Sequence, residues 1–564
     1  MSEDQPTTAD ERAENDDAHP WFEQPPEDAA HPWLEPEDAE PPRGSRKDLI
    51  VVLVLIAVSA SVHFARLGDP GALLPSDDQQ CVDYPPRPRA ACYELIPLDE
   101  IHYVPDARDV LTYGTESDKR VEDDGGKSGA FVVHPPVGKW FIAAGIRLFG
   151  DRPFGWRFFG ALFATLSTLL MYLIGLRLWH STWWAALAAL LLTVEGLWFV
   201  QSRVAMLDIY AAVFLLAAFW LLLEDRAHRG TGAATPGVRR VLAATMLGLG
   251  LASKWTIAPL VLACVTFALV NELGRMRRAQ RSRWAARAAS FGLVFVLVPL
   301  AVYAATFLPW LLNDNRYLPP KCRGEQIVLD LKKEFTVGAN PVTQLACYHG
   351  EMIGFHQNLK KYDVEKPDEE SGRDGPTVVR PGHPYFGEAW SWPWIGRPVV
   401  HHYETLNDDT DAERNSEVIG IPNPAIWLAG FAIAFPVLWW GTLRLTNRLS
   451  PLLLAFFVVG WGTWLYGDLV GRPVFLFYAL PMVPFLVLGV VHAFNRLVRL
   501  WSGARWIAIA YAVVAVGMFA YFYPVLAAHP LADDGVFGWR AHIWYSGALS
   551  DCSAAARIKY FCWI

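Results

Sequence analysis

Runs of about twenty apolar residues recur along the chain, each broken by short polar segments, and about twenty residues is the length a helix needs to cross a bilayer core. The pattern predicts eleven spans, at 48–67, 156–177, 183–201, 208–224, 240–256, 257–272, 288–311, 424–443, 450–467, 473–494 and 504–526. The boundary between the pair inside 240–272 is the least defined, because "VLAATMLGLGLASKWTIAPLVLACVTFALV" divides in more than one way. Between the first two spans, "VVHPPVGKW" (132–140) opens the amphipathic stretch "KWFIAAGIRLFG", too short to span. Pro135 and Pro136 suit the start of a helix, where a missing N–H costs little, and a helix of this kind lies in the membrane interface. The expected fold class is therefore an all-α polytopic membrane protein.

Composition agrees: 564 residues, 53% hydrophobic, 13% aromatic, mean hydropathy +0.20. The net charge of −8 is not spread over the chain. Residues 1–47 hold 14 Asp and Glu against 4 Lys and Arg, a net of −10, which leaves the remainder near +2. This segment is Pro-rich and carries a small repeat, "HPWFEQPPEDA" (19–29) and "HPWLEPEDAEPP" (31–42). It is too poor in aliphatic residues to bury a core and is expected to be a solvated tail. No basic stretch followed by an early apolar run opens the chain, so it is not read as a secretory signal.

Basic clusters at 43–47, 229–240, 274–287, 444–448 and 495–505 all fall on one side of an eleven-span topology, which the positive-inside rule assigns to the cytoplasm together with the N-terminus. The expected organisation is a cytoplasmic tail (1–47), a first membrane module (48–311) with a long outer loop (68–155), a large outer loop (312–423), a four-helix membrane region (424–526) and an outer C-terminal segment (527–564). Six of the seven cysteines fall in the outer segments as local pairs: Cys81 with Cys92, Cys322 with Cys347, and Cys552 with Cys562. They are disulfide candidates in an oxidising compartment. Their spacings lack Cys-x-x-Cys and define no zinc site; His102 and His134 with Asp99 are the one conceivable cation set.

Candidate chemistry gathers at the outer span ends. "PLDEIHYVPDAR" (97–108) carries the adjacent acids Asp99 and Glu100, followed by His102 and Tyr103. Successive residues of a helix point about 100° apart, so both acids do not face one substrate atom. His134 and Lys139 belong to the interfacial helix, and Arg157 to the outer end of the second span. Arg203 and Asp208, in "QSRVAMLDIYAAVF" (201–214), meet at a turn with almost no loop; they are either functional or paired with each other. Lys254 and Arg472 also sit at outer span ends, where snorkelling is the ordinary reading of each alone. Together the cations suit a lipid phosphate at headgroup depth, and a carboxylate beside them suits proton removal from a hydroxyl.

The stretches "LDEIHYVPDA", "HPPVGKW", "GWRFFGALF", "SRVAMLDIY", "GLASKW" and "RPVFLFYALP" resemble, in order and spacing over about residues 48–526, the protein O-mannosyltransferases, membrane glycosyltransferases of the GT-C fold. The Trp/Pro-rich segment "HPYFGEAWSWPWIGRPVVHHYE" (383–404) is similar to that family's segment before the last four spans. The resemblance implies a polyprenyl-phosphate mannose donor, Ser/Thr acceptors on proteins crossing the plasma membrane of a bacterium of actinobacterial type, and inversion at the anomeric carbon on the outer face. It implies partnership with protein-secretion machinery, and no nucleic acid. It casts Asp99 as the base and Glu100 as its support. His134, Lys139, Arg203, Asp208, Lys254 and Arg472 are its candidates for donor phosphate or sugar, and His102, Tyr103, Trp392 and Trp394 for the acceptor side. No cofactor or metal is expected. The 312–423 loop is too short for the large lumenal repeat domain of eukaryotic members. "LTYGTESDKRVEDDGGKSGA" (111–130) and the segments between the Cys81–Cys92 and Cys552–Cys562 pairs stay unassigned. Transfer of another lipid-linked sugar, such as aminoarabinose or arabinose, to a glycan or lipid is the alternative; a transporter and a scaffold protein fit less well.

Overall fold

A computed structural model describes residues 45–70, 100–117, 119, 133–228, 237–278, 280–330, 334–360, 362–365, 378–381, 386–407, 413–445, 447–533 and 535–543. Helix α1 (Arg46–Phe64) opens with a capping box: the Asp48 N–H donates to Ser45 Oγ at 3.1 Å and the Ser45 N–H returns to Asp48 Oδ2 at 2.9 Å. The other Asp48 oxygen accepts from Tyr172 Oη and Thr182 Oγ1, so this cap also fastens the start of the first span to two later helices. Helix α2 (Glu100–Tyr113) follows, then α3 (Val137–Phe149), the expected interfacial helix, with Pro136 as its N-cap. The long α4 (Pro153–Trp179) leads to α5 (Thr182–Thr193) and α6 (Gly196–Arg203), which are bent 56° from each other. Next come α7 (Asp208–His228), α8 (Val238–Leu251), α9 (Ala258–Arg278), α10 (Trp284–Gly292), α11 (Val298–Ala305) and the short α12 (Leu308–Leu312).

Each of the eleven expected spans meets a helix, but not all as plain spans. Among the described residues, eight helical segments are long and apolar enough to cross a membrane, and the bent α5–α6 pair, taken as one span, makes a ninth. The other two are α7, which ends in the charged run Glu224, Asp225 and Arg226, and α8, which has only 14 residues. A 14-residue helix rises about 21 Å, short of a hydrocarbon core of about 30 Å. Buried charges at the far end of these helices explain the sequence there. Arg240 bonds Asp225 at 2.8 Å and Glu272 at 2.6 Å, and Arg287 bonds Glu272 at 2.9 Å. The helices α3 and α4 touch through backbone: a Cβ on Gly145 would stand 2.1 Å from the Gly155 carbonyl, so no larger residue fits.

The 312–423 loop is built of small pieces. Strands β1 (Gln326–Asp330) and β2 (Glu334–Gly338) form an antiparallel hairpin before α13 (Pro341–Asn358), and β3 (Tyr362–Glu365) pairs with β4 (Val378–Pro381). The expected Cys322–Cys347 disulfide joins the segment before the hairpin to α13. The other two candidate pairs lie outside the described residues. Strands β5 (Val399–Asn407) and β6 (Glu413–Gly420) pair antiparallel with an irregularity between Val400 and His402, and β7 (Leu531–Ala532) of the C-terminal segment adds to the β6 edge. The last membrane region comprises α14 (Pro424–Ala429), α15 (Phe435–Leu443), α16 (Leu449–Leu469), α17 (Val483–Leu500) and α18 (Ala504–Leu526). Helix α17 is almost wholly buried at the centre, whereas α1 turns most of its apolar surface outward, as a lipid-facing helix does.

On β6, Glu417 is buried and accepts the Trp539 Nε1–H at 2.6 Å. Burial pushes its carboxyl up to about 7, a rise that the Trp539 bond only partly opposes. An acid whose folded pKa lies above its unfolded one stabilises most below about 4.5 and progressively less as pH rises through about 7. Glu417→Gln is therefore expected to raise the melting temperature at pH 8, by the equivalent of about 3 kcal/mol at most, and to leave it little changed at pH 4. Melting curves of the two proteins at both pH values check this; an equal shift at both would contradict it.

Candidate active site

Glu100 opens α2 and is fully buried. Its two oxygens take the Arg157 guanidinium side-on, Nε to Oε1 at 2.7 Å and Nη2 to Oε2 at 2.8 Å, and Oε1 also accepts the Ala205 N–H at 2.8 Å. The free edge of Arg157 donates to the carbonyls of Asp69 and Pro70, both at 3.0 Å. One ion pair thus ties together the end of the first span's exit, the start of α2, the first turn of α4 and the α6–α7 turn. Asp99, the residue before Glu100, lies outside the described residues.

Arg203 does not pair with Asp208. Its guanidinium donates to the carbonyls of His63, Ala65 and Arg66 at 2.8, 2.6 and 2.9 Å and stacks 4.9 Å from the Phe199 ring. These carbonyls end α1 and lack helical donors, so Arg203 caps the helix that leads into the first loop. Asp208 instead bonds Lys254 Nζ at 2.6 Å, with both side chains buried. Lys254 therefore does not snorkel; it is held inward, 5.6 Å from the Phe477 ring. Asp208 keeps one buried oxygen without a partner.

Lys139 is wholly buried between two acids, 2.9 Å from Asp106 and 2.8 Å from Glu116. Burial pulls its ammonium down, but the two carboxylates outweigh this and hold it above the usual lysine value. Lys139 is held by α2 and by the segment after it. Glu116 comes from the polar stretch that the sequence left unassigned.

The donors without acid partners lie elsewhere. Arg472 follows the 78° positive-φ Gly471 at the end of α16, and its buried Nε has no hydrogen-bond partner. Its Nη2 stands 3.5 Å from His356 Nδ1 on α13, and its plane lies 6.0 Å from the Trp464 ring. The His356 Nε2 meets the Val133 carbonyl at 3.2 Å, beside His134, and the two imidazole rings are 5.3 Å apart. His134 is buried with Nδ1 unpartnered. Burial, then the charge of Lys254, then His356, Lys139 and Arg472, hold its pKa well below the usual imidazole value. His356 is lowered too, by burial and then by Arg472 and Lys254. At neutral pH both rings are uncharged and lie beside cations. Sequence reading missed His356; its only signal was the seven-residue spacing from His349, which places both on one face of a helix.

Tyr103 is buried 6.1 Å from His134, and His102 is half-buried on the same helix. Of the two tryptophans expected on the acceptor side, Trp392 is wholly buried and accepts the Trp427 indole N–H at its carbonyl, which makes it a core residue; Trp394 is exposed. The Trp-rich segment is fixed to the Arg472 turn, with the Gly387 N–H donating to the Val474 carbonyl at 2.7 Å and the Ala389 N–H to Asp468 at 3.1 Å. Among the described residues no group of three His, Cys, Asp or Glu is placed to hold a metal ion.

The fold is thus a helical bundle with membrane-span helices whose loop-proximal ends carry buried Arg, Lys and His side chains. The model for dolichyl-phosphate-mannose-protein mannosyltransferases matches residues 133–303. The polyprenol-phosphate-mannose–protein mannosyltransferase of Mycobacterium tuberculosis (strain ATCC 25618 / H37Rv) is 30% identical over 485 residues, 79% of this chain and 85% of that protein. An undecaprenyl phosphate-alpha-4-amino-4-deoxy-L-arabinose arabinosyl transferase of Pseudomonas fluorescens is 31% identical over 195 residues, 34% of this chain and 30% of that protein. In fold, the chain is similar to the protein O-mannosyltransferase Pmt1-Pmt2 complex of S. cerevisiae bound to the sugar donor, with a TM-score of 0.59 at 14% identity over 86% of this chain and 91% of that one. The chain belongs to the polyprenol-phosphate-mannose–protein mannosyltransferase family, and it is a multi-pass membrane glycosyltransferase.

Removing one partner of a buried ion pair strands the other charge and costs about 3–5 kcal/mol. Arg157→Met is expected to lower the melting temperature of the detergent-purified protein accordingly, and Glu100→Leu with Arg157→Met to recover much of it. Sugar transfer is expected to stay lost in the double variant, because the carbonyls of 69–70 and the Ala205 N–H no longer share an anchor. A melting temperature unmoved by Arg157→Met would contradict the role given to the pair.

Proposed function

We propose that the protein transfers mannose from a polyprenyl-phosphate mannose to Ser or Thr hydroxyls of proteins at the outer face of the plasma membrane, by a single inverting displacement. In this reading Asp99 takes the proton of the acceptor hydroxyl as its oxygen attacks the anomeric carbon. The bond from that carbon to the phosphate oxygen breaks with its electron pair, and polyprenyl phosphate leaves. The single observation that carries the reading is Arg472, a half-buried guanidinium whose buried Nε is unpartnered and whose Nη2 faces His356, beside His134. A cation with no carboxylate of its own stabilises the departing phosphate without first breaking an ion pair. His134 offers an unpartnered nitrogen to the same phosphate or to a sugar hydroxyl. Lys254, paired with Asp208, adds charge close by while its position stays fixed.

Glu100, Lys139 and Arg203 take other parts: each is fully engaged with protein groups and acts as a positioning residue. One carboxylate acting as base gives a product of inverted configuration, whereas retention would need a second acid as nucleophile, about 5 Å from the first. The organisation into a cytoplasmic tail, two membrane modules, two outer loops and an outer C-terminal segment belongs to the same proposal. Transfer of another lipid-linked sugar such as aminoarabinose is the second reading, favoured by the partial matches to arabinosyl transferases.

The test supplies membranes containing the protein with a synthetic polyprenyl-phosphate mannose and a Ser/Thr-rich peptide. Mannosyl-peptide with configuration opposite to the donor is expected; no product, or a product only with an aminoarabinose donor, would overturn the reading. Arg472→Gln is expected to raise the donor KM and lower kcat, reducing kcat/KM by at least 100-fold while peptide KM changes little. A kcat/KM within threefold of the parent would remove Arg472 from the donor site.

A further inference from the structure

The helices that carry the candidate site at one end enclose a second feature at the other. Helix α4 runs from Arg157 to Arg177, twenty residues or about 30 Å along its axis, and α7 runs likewise from Asp208 to Arg226. There a cavity of about 490 Å³ opens between α4, α7, the α15–α16 turn and the end of α17. Its polar lining is Arg177, Arg226, Arg448, Arg496, Arg499 and His492, with Asn447 and Asn495, and among the described residues no Asp or Glu lines it. Leu178, Leu223, Leu449 and Leu452 with Trp179 complete the wall.

Basic residues at one membrane face are expected on topological grounds, and those grounds are met by exposed side chains in loops. Two observations go further. The basic residues next door are matched by acids: Arg240, Arg275 and Arg287 share Asp225 and Glu272. Among the described residues no acid lines the cavity, although it is only one helix away. His492 is 4% exposed, has Nε2 3.1 Å from Ser450 Oγ, whose hydroxyl can donate to it, and keeps Nδ1 without a partner; Arg177 likewise has a buried, unpartnered Nη1. A buried polar nitrogen without a partner is costly, and several arginines facing one space repel each other unless an anion joins them.

We infer that this cavity binds the phosphate headgroup of an anionic phospholipid from the leaflet opposite the candidate active site. Arg177, Arg496 and Arg499 fork onto the phosphate oxygens, His492 bonds the headgroup, and the leucines and Trp179 take the first carbons of the lipid. A volume of about 490 Å³ is within the range of about 300–1,000 Å³ that holds small ligands. The site is separate from the transfer reaction and stands whether or not that reading holds.

The test uses the full-length protein released from detergent for native mass spectrometry after titration with phosphatidylglycerol or phosphatidylcholine; inorganic phosphate is tested separately by thermal shift. One phosphatidylglycerol per chain is expected, held at least tenfold more tightly than phosphatidylcholine. Arg177→Gln/Arg496→Gln/Arg499→Gln is expected to weaken it at least tenfold, and Arg239→Gln/Arg277→Gln/Arg281→Gln, which removes the same charge from exposed positions at the same end, is expected to weaken it less than twofold. If the cavity triple variant is not recovered folded, Arg496→Gln against Arg281→Gln makes the same comparison, with threefold as the expected loss. Equal weakening by both sets would overturn the inference in favour of general surface charge. Stabilisation by inorganic phosphate with no preference between the lipids would overturn it in favour of a soluble anion.

Discussion

The Glu100–Arg157 ion pair is the constraint on which the rest of the site depends. It is fully buried and doubly hydrogen-bonded, and the guanidinium's Nη1 and one further lone pair on the carboxylate are used by backbone. A charge pair removed from water is stable only when its geometry and its remaining hydrogen bonds are both satisfied, and here they are. The consequence is local rigidity where the first loop meets three helices. Asp99 is joined by one peptide bond to the residue so held. That covalent fact links the anchor to the proposed chemistry.

Charge accounting separates structure from function at this end of the bundle. Lys139 is shared by Asp106 and Glu116, Lys254 by Asp208, Arg157 by Glu100, and Arg203 by three carbonyls. Among the described residues, four of the five cations gathered at this end of the bundle are thus taken by protein groups. Arg472 is the exception, facing two histidines kept neutral by burial and by neighbouring positive charge. In the proposed reaction this unbalanced charge is what receives the donor phosphate.

The spans, the interfacial helix and the Cys322–Cys347 disulfide were legible because each rests on a local signal: an apolar run, prolines before an amphipathic stretch, a pair of cysteines in one loop. The bend between α5 and α6 was marked only by Glu195 and Gly196, a two-residue interruption inside an apolar run long enough to read as one span. Helix α2 was hidden because Pro105 and its mixed polar sequence give no strong period. For the site, the residue types were readable but their partners were not. Lys139 and Glu116 are 23 positions apart, Lys254 and Asp208 46, and His356 and Arg472 116. No local pattern states which cation finds an acid; only the tertiary packing does. The family resemblance supplied the order of the motifs, and the packing distinguishes residues that hold the site from the one left open.

The most direct test of the account is the rate of mannosyl transfer to a Ser/Thr-rich peptide by Asp99→Asn, compared with the parent protein at matched amount and matched melting temperature. The account predicts a loss of about 10²–10⁴-fold in kcat, the usual contribution of a positioned general base, with donor KM nearly unchanged. A kcat within threefold of the parent, in a folded protein that still binds donor, would contradict it and remove the anchored acid from the reaction.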